Sequence, residues 1–64
     1  MEYSHGFLNG MIPHHSMAIL MSKNIRQKTT NPRIINLANN IIRSQNEEIN
    51  IMNDILRKTR TGWN

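Results

Sequence analysis

The side chains best suited to chemistry are concentrated in one short stretch, residues 11–21 (Met-Ile-Pro-His-His-Ser-Met-Ala-Ile-Leu-Met). This stretch contains two of the chain's three histidines and three of its five methionines. Imidazole nitrogen and thioether sulfur are neutral ligands that suit copper, and the thioether favours the soft Cu(I) state. The composition of the stretch therefore indicates a metal site, with copper as the first candidate.

A helix would place both histidines within an apolar face. At about 100° of turn per residue, His14 and His15 fall on opposite sides of an arc centred near Met11. Because neighbouring residues point about 100° apart, one histidine can bind a metal while the other only supports it. We expect this arc to face a second helix, with Met17 and Leu20 pointing away from it. The other apolar members of the arc are Phe7, Leu8, Ile12, Ala18, Ile19, Met21 and Ile25.

The spacing of apolar residues predicts two helices, and therefore an all-α fold. Ser4 is the predicted N-cap of a first helix over about residues 4–28. Asn31 followed by Pro32 is typical of a helix start, so we expect a second helix over about residues 32–58. The connection is only a few residues long, which makes the two helices antiparallel neighbours. The predicted fold is an antiparallel helical hairpin followed by a short tail that contains Trp63.

The second helix is expected to meet the first in a regular order. In a hairpin that turns near residue 30, the numbers of paired residues add up to about 60. This pairing places Gln45 near His15 and Met52 near Met11, with Glu48 about one turn from both histidines. Polar side chains in both helices therefore fall at one level. The predicted apolar stripe of the second helix consists of Ile35, Ala38, Ile42, Gln45, Ile49, Met52 and Leu56.

These positions predict a metal site built by both helices. The predicted ligands are Met11, His14, His15 and Met52. Three more side chains are predicted either to bind the ion or to orient the imidazoles, and these are Met21, Gln45 and Glu48. The predicted role is copper sequestration or delivery. One alternative stays open: methionine on an apolar helical face usually fills a core, and the histidines of a purely structural or oligomerisation module could simply be hydrogen-bonded to the polar residues of the second helix.

The length of the chain, 64 residues, allows one domain over residues 1–64 with a small core. A chain of this size buries only about 60% of its unfolded surface. It has no cysteine, so it can form neither a disulfide nor a thiolate metal site. Stability must come from regular helix packing, a bound metal or a partner. We therefore expect a homodimer in which two hairpins form a four-helix bundle.

Several functional classes are disfavoured. The net charge is +4, but the chain has no dense basic run with interleaved aromatic residues, so we do not expect nucleic-acid binding. It contains neither the His-Glu-x-x-His motif of zinc hydrolases nor the Glu-x-x-His motif of di-iron proteins, so we do not expect an enzyme. No apolar run approaches the roughly 20 residues of a transmembrane helix. No signal peptide is apparent, and the compartment stays open.

Two sequence elements are shared with a known family. The first is Phe7-x3-Met11-Ile12-Pro13-His14-His15-x2-Ala18-Ile19-x-Met21, and the second is Ile41-Ile42-x2-Gln45-x2-Glu48-Ile49-x2-Met52. Together they resemble the DUF305 family. The resemblance implies a ferritin-like helical protein, and some members of the family are implicated in copper binding and resistance, often in the bacterial envelope. Many members have more than one hairpin, so the single hairpin of this chain implies that two chains combine.

Overall fold

A computed structural model describes residues 3–60 as two helices packed into a hairpin. Helix α1 spans Ser4–Lys28 and helix α2 spans Pro32–Arg60. The hairpin measures 50 × 15 × 13 Å. The predicted all-α hairpin is confirmed, and the described residues contain no strand. Helix α2 continues two residues beyond the predicted end at residue 58, and Trp63 lies outside the described residues.

Of the two predicted N-cap residues, one is confirmed and one is wrong. Asn31 caps α2, because its side-chain oxygen accepts a hydrogen bond from the Arg33 N–H at 3.0 Å. The prediction that Ser4 caps α1 is wrong by one residue. The Phe7 N–H donates to the carbonyl of Tyr3 at 3.2 Å, so the cap lies one residue earlier, while the helix itself spans Ser4–Lys28 as predicted. Tyr3 is the cap residue, without a side-chain hydrogen bond to the helix.

The two helices pack along a strip that we call the inner seam. Its members recur at alternating spacings of three and four residues, the pattern of helices that pack at shallow angles. All of them are buried or partly buried. Those of α1 are Leu8, Ile12, His15, Ile19, Ser22 and Arg26, and those of α2 are Ile35, Ala38, Ile42, Gln45, Ile49, Met52 and Leu56. The apolar stripe predicted for α2 is therefore confirmed.

Each helix carries a second strip with the same spacing, which we call the outer seam. Every member directly precedes a member of the inner seam. In α1 the outer seam is Phe7, Met11, His14, Ala18, Met21 and Ile25. In α2 it is Ile34, Leu37, Ile41, Ser44, Glu48, Ile51 and Ile55. Only Met11, Ala18 and Ile41 are partly covered, and the other members are exposed.

The outer seam corrects the predicted apolar arc of α1. Phe7 and Met21 were expected to face α2, but both are 64% exposed, and Ile25 is 45% exposed. Met17 and Leu20 point away from α2 as predicted and are exposed. The predicted centre of the arc, Met11, lies in the outer seam, whereas the buried face runs through Leu8 and Ile19 of the inner seam.

Both outer seams lie on the same side of the hairpin. Each outer-seam side chain points about 100° away from the inner-seam side chain that follows it. Because the two helices run in opposite directions, this rotation has the opposite sense in α1 and α2, and both outer seams therefore face the same side of the hairpin. The hairpin therefore presents one broad apolar surface, which we call the outer face. No helix of the described chain is both long and apolar enough to cross a membrane.

Candidate metal centre

His15 is held by both nitrogens of its ring. Its Nδ1 lies 2.9 Å from the carbonyl oxygen of Met11, one helical turn earlier. A carbonyl oxygen only accepts hydrogen bonds, so Nδ1 carries a proton and donates it to this oxygen. The second nitrogen, Nε2, forms a short contact with Oε1 of Glu48 on α2. With only 7% of the residue exposed, the ring has one fixed orientation.

The contact between His15 and Glu48 connects the core with the outer face. His15 belongs to the inner seam, whereas Glu48 belongs to the outer seam and has a side chain that is 54% exposed. Because the Nδ1 proton is committed to the Met11 carbonyl, a hydrogen bond between Nε2 and Oε1 shares one further proton. The carboxylate thus fixes Nε2 toward the outer face.

A pocket of about 240 Å³ opens beside this pair. Its lining combines four groups able to bind a metal with two apolar walls. The lining residues are Phe7, Met11, His15, Glu48, Ile51 and Met52. Two thioethers, one imidazole and one carboxylate therefore border the same space. Met52, a predicted ligand, is 7% exposed and is therefore the more buried of the two thioether residues that line the pocket.

The structure gathers some of the predicted site residues and separates others. Met11, His15, Met52 and Glu48 border one pocket, as predicted. His14 was expected to share the same buried site, but it is exposed and does not border the pocket within the hairpin. The physical reason is the turn of about 100° between adjacent helical residues, which puts His14 in the outer seam.

Two further predicted residues also lie outside the pocket. Met21 belongs to the outer seam, nearer the turn of the hairpin, and Gln45 is partly buried in the inner seam. The pocket walls Phe7 and Ile51 were not predicted. Their signal in the sequence is their spacing, because Phe7 precedes Met11 by four residues and Ile51 follows Glu48 by three.

The charges near the pocket are few. Among residues 3–60 there is no cluster of three or more histidine, cysteine, aspartate or glutamate side chains that could hold a metal. Farther along α2, the hydrogen bond from Lys58, together with the positive charges of Lys58 and Arg57, lowers the pKa of Asp54.

The described residues define a small all-α protein, a hairpin of two antiparallel helices with a pocket between them. The chain belongs to the family described as Domain of unknown function (DUF305), which matches residues 2–61. It is also similar to an uncharacterised protein, L153, of Acanthamoeba polyphaga mimivirus, with 66% identity over 50 residues. That match covers 78% of this chain and 33% of the viral protein, so the match spans about a third of the relative's length. No solved structure matches the chain.

Proposed function

We propose that this domain binds a metal ion, copper first, in the pocket between α1 and α2. The observation that carries the proposal is the orientation of His15, whose Nδ1–H donates to the Met11 carbonyl while Nε2 contacts Glu48, which also lines the pocket. A ligating histidine usually donates its other ring N–H to a carbonyl or carboxylate, which fixes the ring. The role is sequestration or delivery, without chemical turnover.

The ligand chemistry of the pocket fits copper. The side chains of Met11 and Met52 offer soft sulfur, and His15 offers nitrogen. Thioether and imidazole together favour Cu(I) over hard cations such as Mg²⁺ and Ca²⁺, which prefer oxygen. Glu48 either adds an oxygen ligand or releases Nε2 of His15, because an ion on this nitrogen takes the place of the shared proton.

We also propose that two hairpins associate through their outer faces into a four-helix bundle. The exposed apolar residues of the outer face are Phe7, Met21, Ile25, Ile34, Leu37, Ile51 and Ile55, each between 36% and 64% exposed. If one large side chain offers roughly 150 Å², the lower end of the range for aromatic side chains, they expose roughly 500 Å² together. A standard interface buries about 800 Å² on each partner, so one outer face supplies most of what a stable dimer needs.

The same exposed surface favours a second candidate function, an oligomerisation module without a metal. In that case His15 and Glu48 only specify how the helices pack, as buried polar pairs do in some bundles. The two functions differ in one measurable property, the dependence of metal affinity on the pocket thioethers.

The experiment that separates them compares two methionine variants in anaerobic Cu(I) titrations against a competing chelator. Met52→Leu keeps the volume and should cost less than about 1.5 kcal/mol of stability, but it removes a pocket sulfur. Met17→Leu makes the same change at an exposed position outside the pocket. We expect Met52→Leu to weaken Cu(I) binding by about tenfold or more and Met17→Leu to leave it unchanged.

Equal Cu(I) affinities for the wild-type protein, Met52→Leu and Met17→Leu would contradict the metal-binding proposal and favour the oligomerisation module. A parallel titration with Cu(II) tests the preference between oxidation states. Weaker dependence on Met52 is expected there, because Cu(II) favours nitrogen and oxygen over thioether sulfur.

A further inference from the structure

We infer that the pocket is completed by a second copy of the chain, which places the partner's His14 beside Glu48. This inference rests on the metal site proposed above and states where its missing nitrogen ligand comes from. It assigns a position to the one predicted ligand, His14, that the hairpin leaves exposed.

The pocket opens toward the outer face. Its two apolar walls, Phe7 and Ile51, both belong to the outer seams and are 64% and 58% exposed. A volume of about 240 Å³ equals that of several water molecules at about 30 Å³ each. One ion does not fill the space between the side chains of a single hairpin. Any molecule that covers the outer face therefore also reaches the pocket.

The polar members of the outer seams determine which way two copies fit together. The outer seam of α1 has one polar member, His14, and that of α2 has two, Ser44 and Glu48, one turn apart. If a two-fold axis runs parallel to the helices, α1 packs on the partner's α2, and every residue keeps its level along the bundle. Paired residue numbers then add up to about 60, as in the hairpin itself. The partner's His14 falls between Ser44 and Glu48.

The other symmetric arrangement has its two-fold axis across the helices and pairs each helix with its own copy. If the axis crosses the middle of both outer seams, His14 lies near the partner's Ala18, and Glu48 lies near the partner's Ile41. This arrangement buries the exposed part of the Glu48 side chain against an apolar residue, which is costly because the carboxylate loses hydration there and gains no further polar partner. The first arrangement instead gives the exposed part of the Glu48 side chain an imidazole partner, so the seams favour it.

The resulting site contains an imidazole from each chain. His15 and the thioethers of Met11 and Met52 come from one chain, and a second imidazole comes from His14 of the partner subunit. Glu48 lies between the two rings. Two-fold symmetry produces two such sites in each dimer, and their ligand set is nitrogen and sulfur, which suits Cu(I).

Engineered disulfides test this arrangement without any metal. The chain has no cysteine, so Ala18→Cys and Ser44→Cys each introduce a single thiol at a small outer-seam residue. We expect a mixture of the two variants to form a covalent dimer under oxidising conditions, because both residues lie on the facing seams and, with numbers that add up to about 62, at nearly the same level along the bundle. Neither variant alone should do so. A covalent dimer from Ser44→Cys alone, or none from the mixture, would overturn the inference.

Subunit mixing tests the shared site itself. His14→Ala leaves the rest of its own pocket intact, and Met52→Leu keeps His14 to offer to a partner. We expect each variant alone to bind Cu(I) weakly. After random exchange of subunits in a one-to-one mixture, about a quarter of the wild-type number of tight sites should reappear, since half the dimers are mixed and each restores one of two sites.

The two outcomes separate the two proposals. If the disulfides form as expected but wild-type protein binds no Cu(I), the metal function fails while the interface stands. If Cu(I) binds tightly and depends on Met52, but mixing restores nothing, the metal function stands and the contribution of the partner's His14 is refuted.

Discussion

Leu37 gives the sharpest test of the outer face as a protein interface. It lies in the outer seam of α2, far from the pocket, and is 55% exposed in the hairpin. Complete burial of a leucine side chain contributes about 1.5–3 kcal/mol. In the dimer, the exposed half of the Leu37 side chain is buried in both chains. Relative to alanine, this burial stabilises the dimer by about 1–2.5 kcal/mol. We therefore expect Leu37→Ala to raise the dimer Kd by about 5- to 70-fold.

Leu20 supplies a matched control. It is 61% exposed on α1 and belongs to neither seam, so Leu20→Ala makes the same change on a surface that stays in water. Both substitutions fall inside helices and alter helix propensity alike. Sedimentation equilibrium over a range of protein concentrations measures the Kd of each variant. Equal Kd values for Leu37→Ala and Leu20→Ala would refute the assignment of the interface to the outer face.

Three further predictions concern the stability of the hairpin. Asn31→Ala removes the cap of α2 and should lower the free energy of unfolding by about 0.5–2 kcal/mol; an unchanged urea midpoint would show that the cap contributes nothing. Met52→Ala should cost about 2–5 kcal/mol, comparable to the whole stability of so small a core, and a native far-ultraviolet circular dichroism spectrum would contradict this. The pKa of Asp54 is lowered in the folded chain, chiefly by its hydrogen bond with Lys58. The contribution of the Asp54 carboxylate to the free energy of unfolding is therefore present above the unfolded-state pKa and is lost as the pH falls through the folded-state pKa. Asp54→Asn should thus destabilise the protein at neutral pH, and the difference in urea midpoint should vanish in strong acid.

The hairpin could be predicted because its signals are local. Asn31 and Pro32 mark the start of α2 through capping and a fixed φ angle, and the spacing of apolar residues gives two helices on either side of it. The level of Glu48 relative to His15 followed from the position of the turn alone. These features depend on helix geometry and chain length, which vary little between proteins.

The rotation of α1 about its axis could not be predicted from the same pattern. The two seams lie one residue apart, so their apolar residues merge into one wide arc whose centre falls between them. Because the centre of this wide arc was expected to face α2, His14 and His15 were predicted to lie at similar distances from α2. The structure distinguishes them because α2 covers only the inner seam, whereas the spacing of apolar residues in the sequence of α1 is the same along both seams.

The one-residue offset of the seams also gives α1 two nearly equivalent ways to sit on α2. Turning α1 by about 100° about its own axis would bury the outer seam in place of the inner one. The outer seam is as apolar as the inner one, so the burial of apolar area hardly distinguishes these two orientations of α1. Two polar contacts that only the observed orientation of α1 can make decide between them. These are the contact of His15 with Glu48 and the hydrogen bond from Arg26 to Asn39 at 2.8 Å. Without the imidazole, as in His15→Leu, we expect a helical protein with two sets of amide signals in its NMR spectrum, one for each orientation of α1. A single set would show that apolar burial alone fixes the orientation.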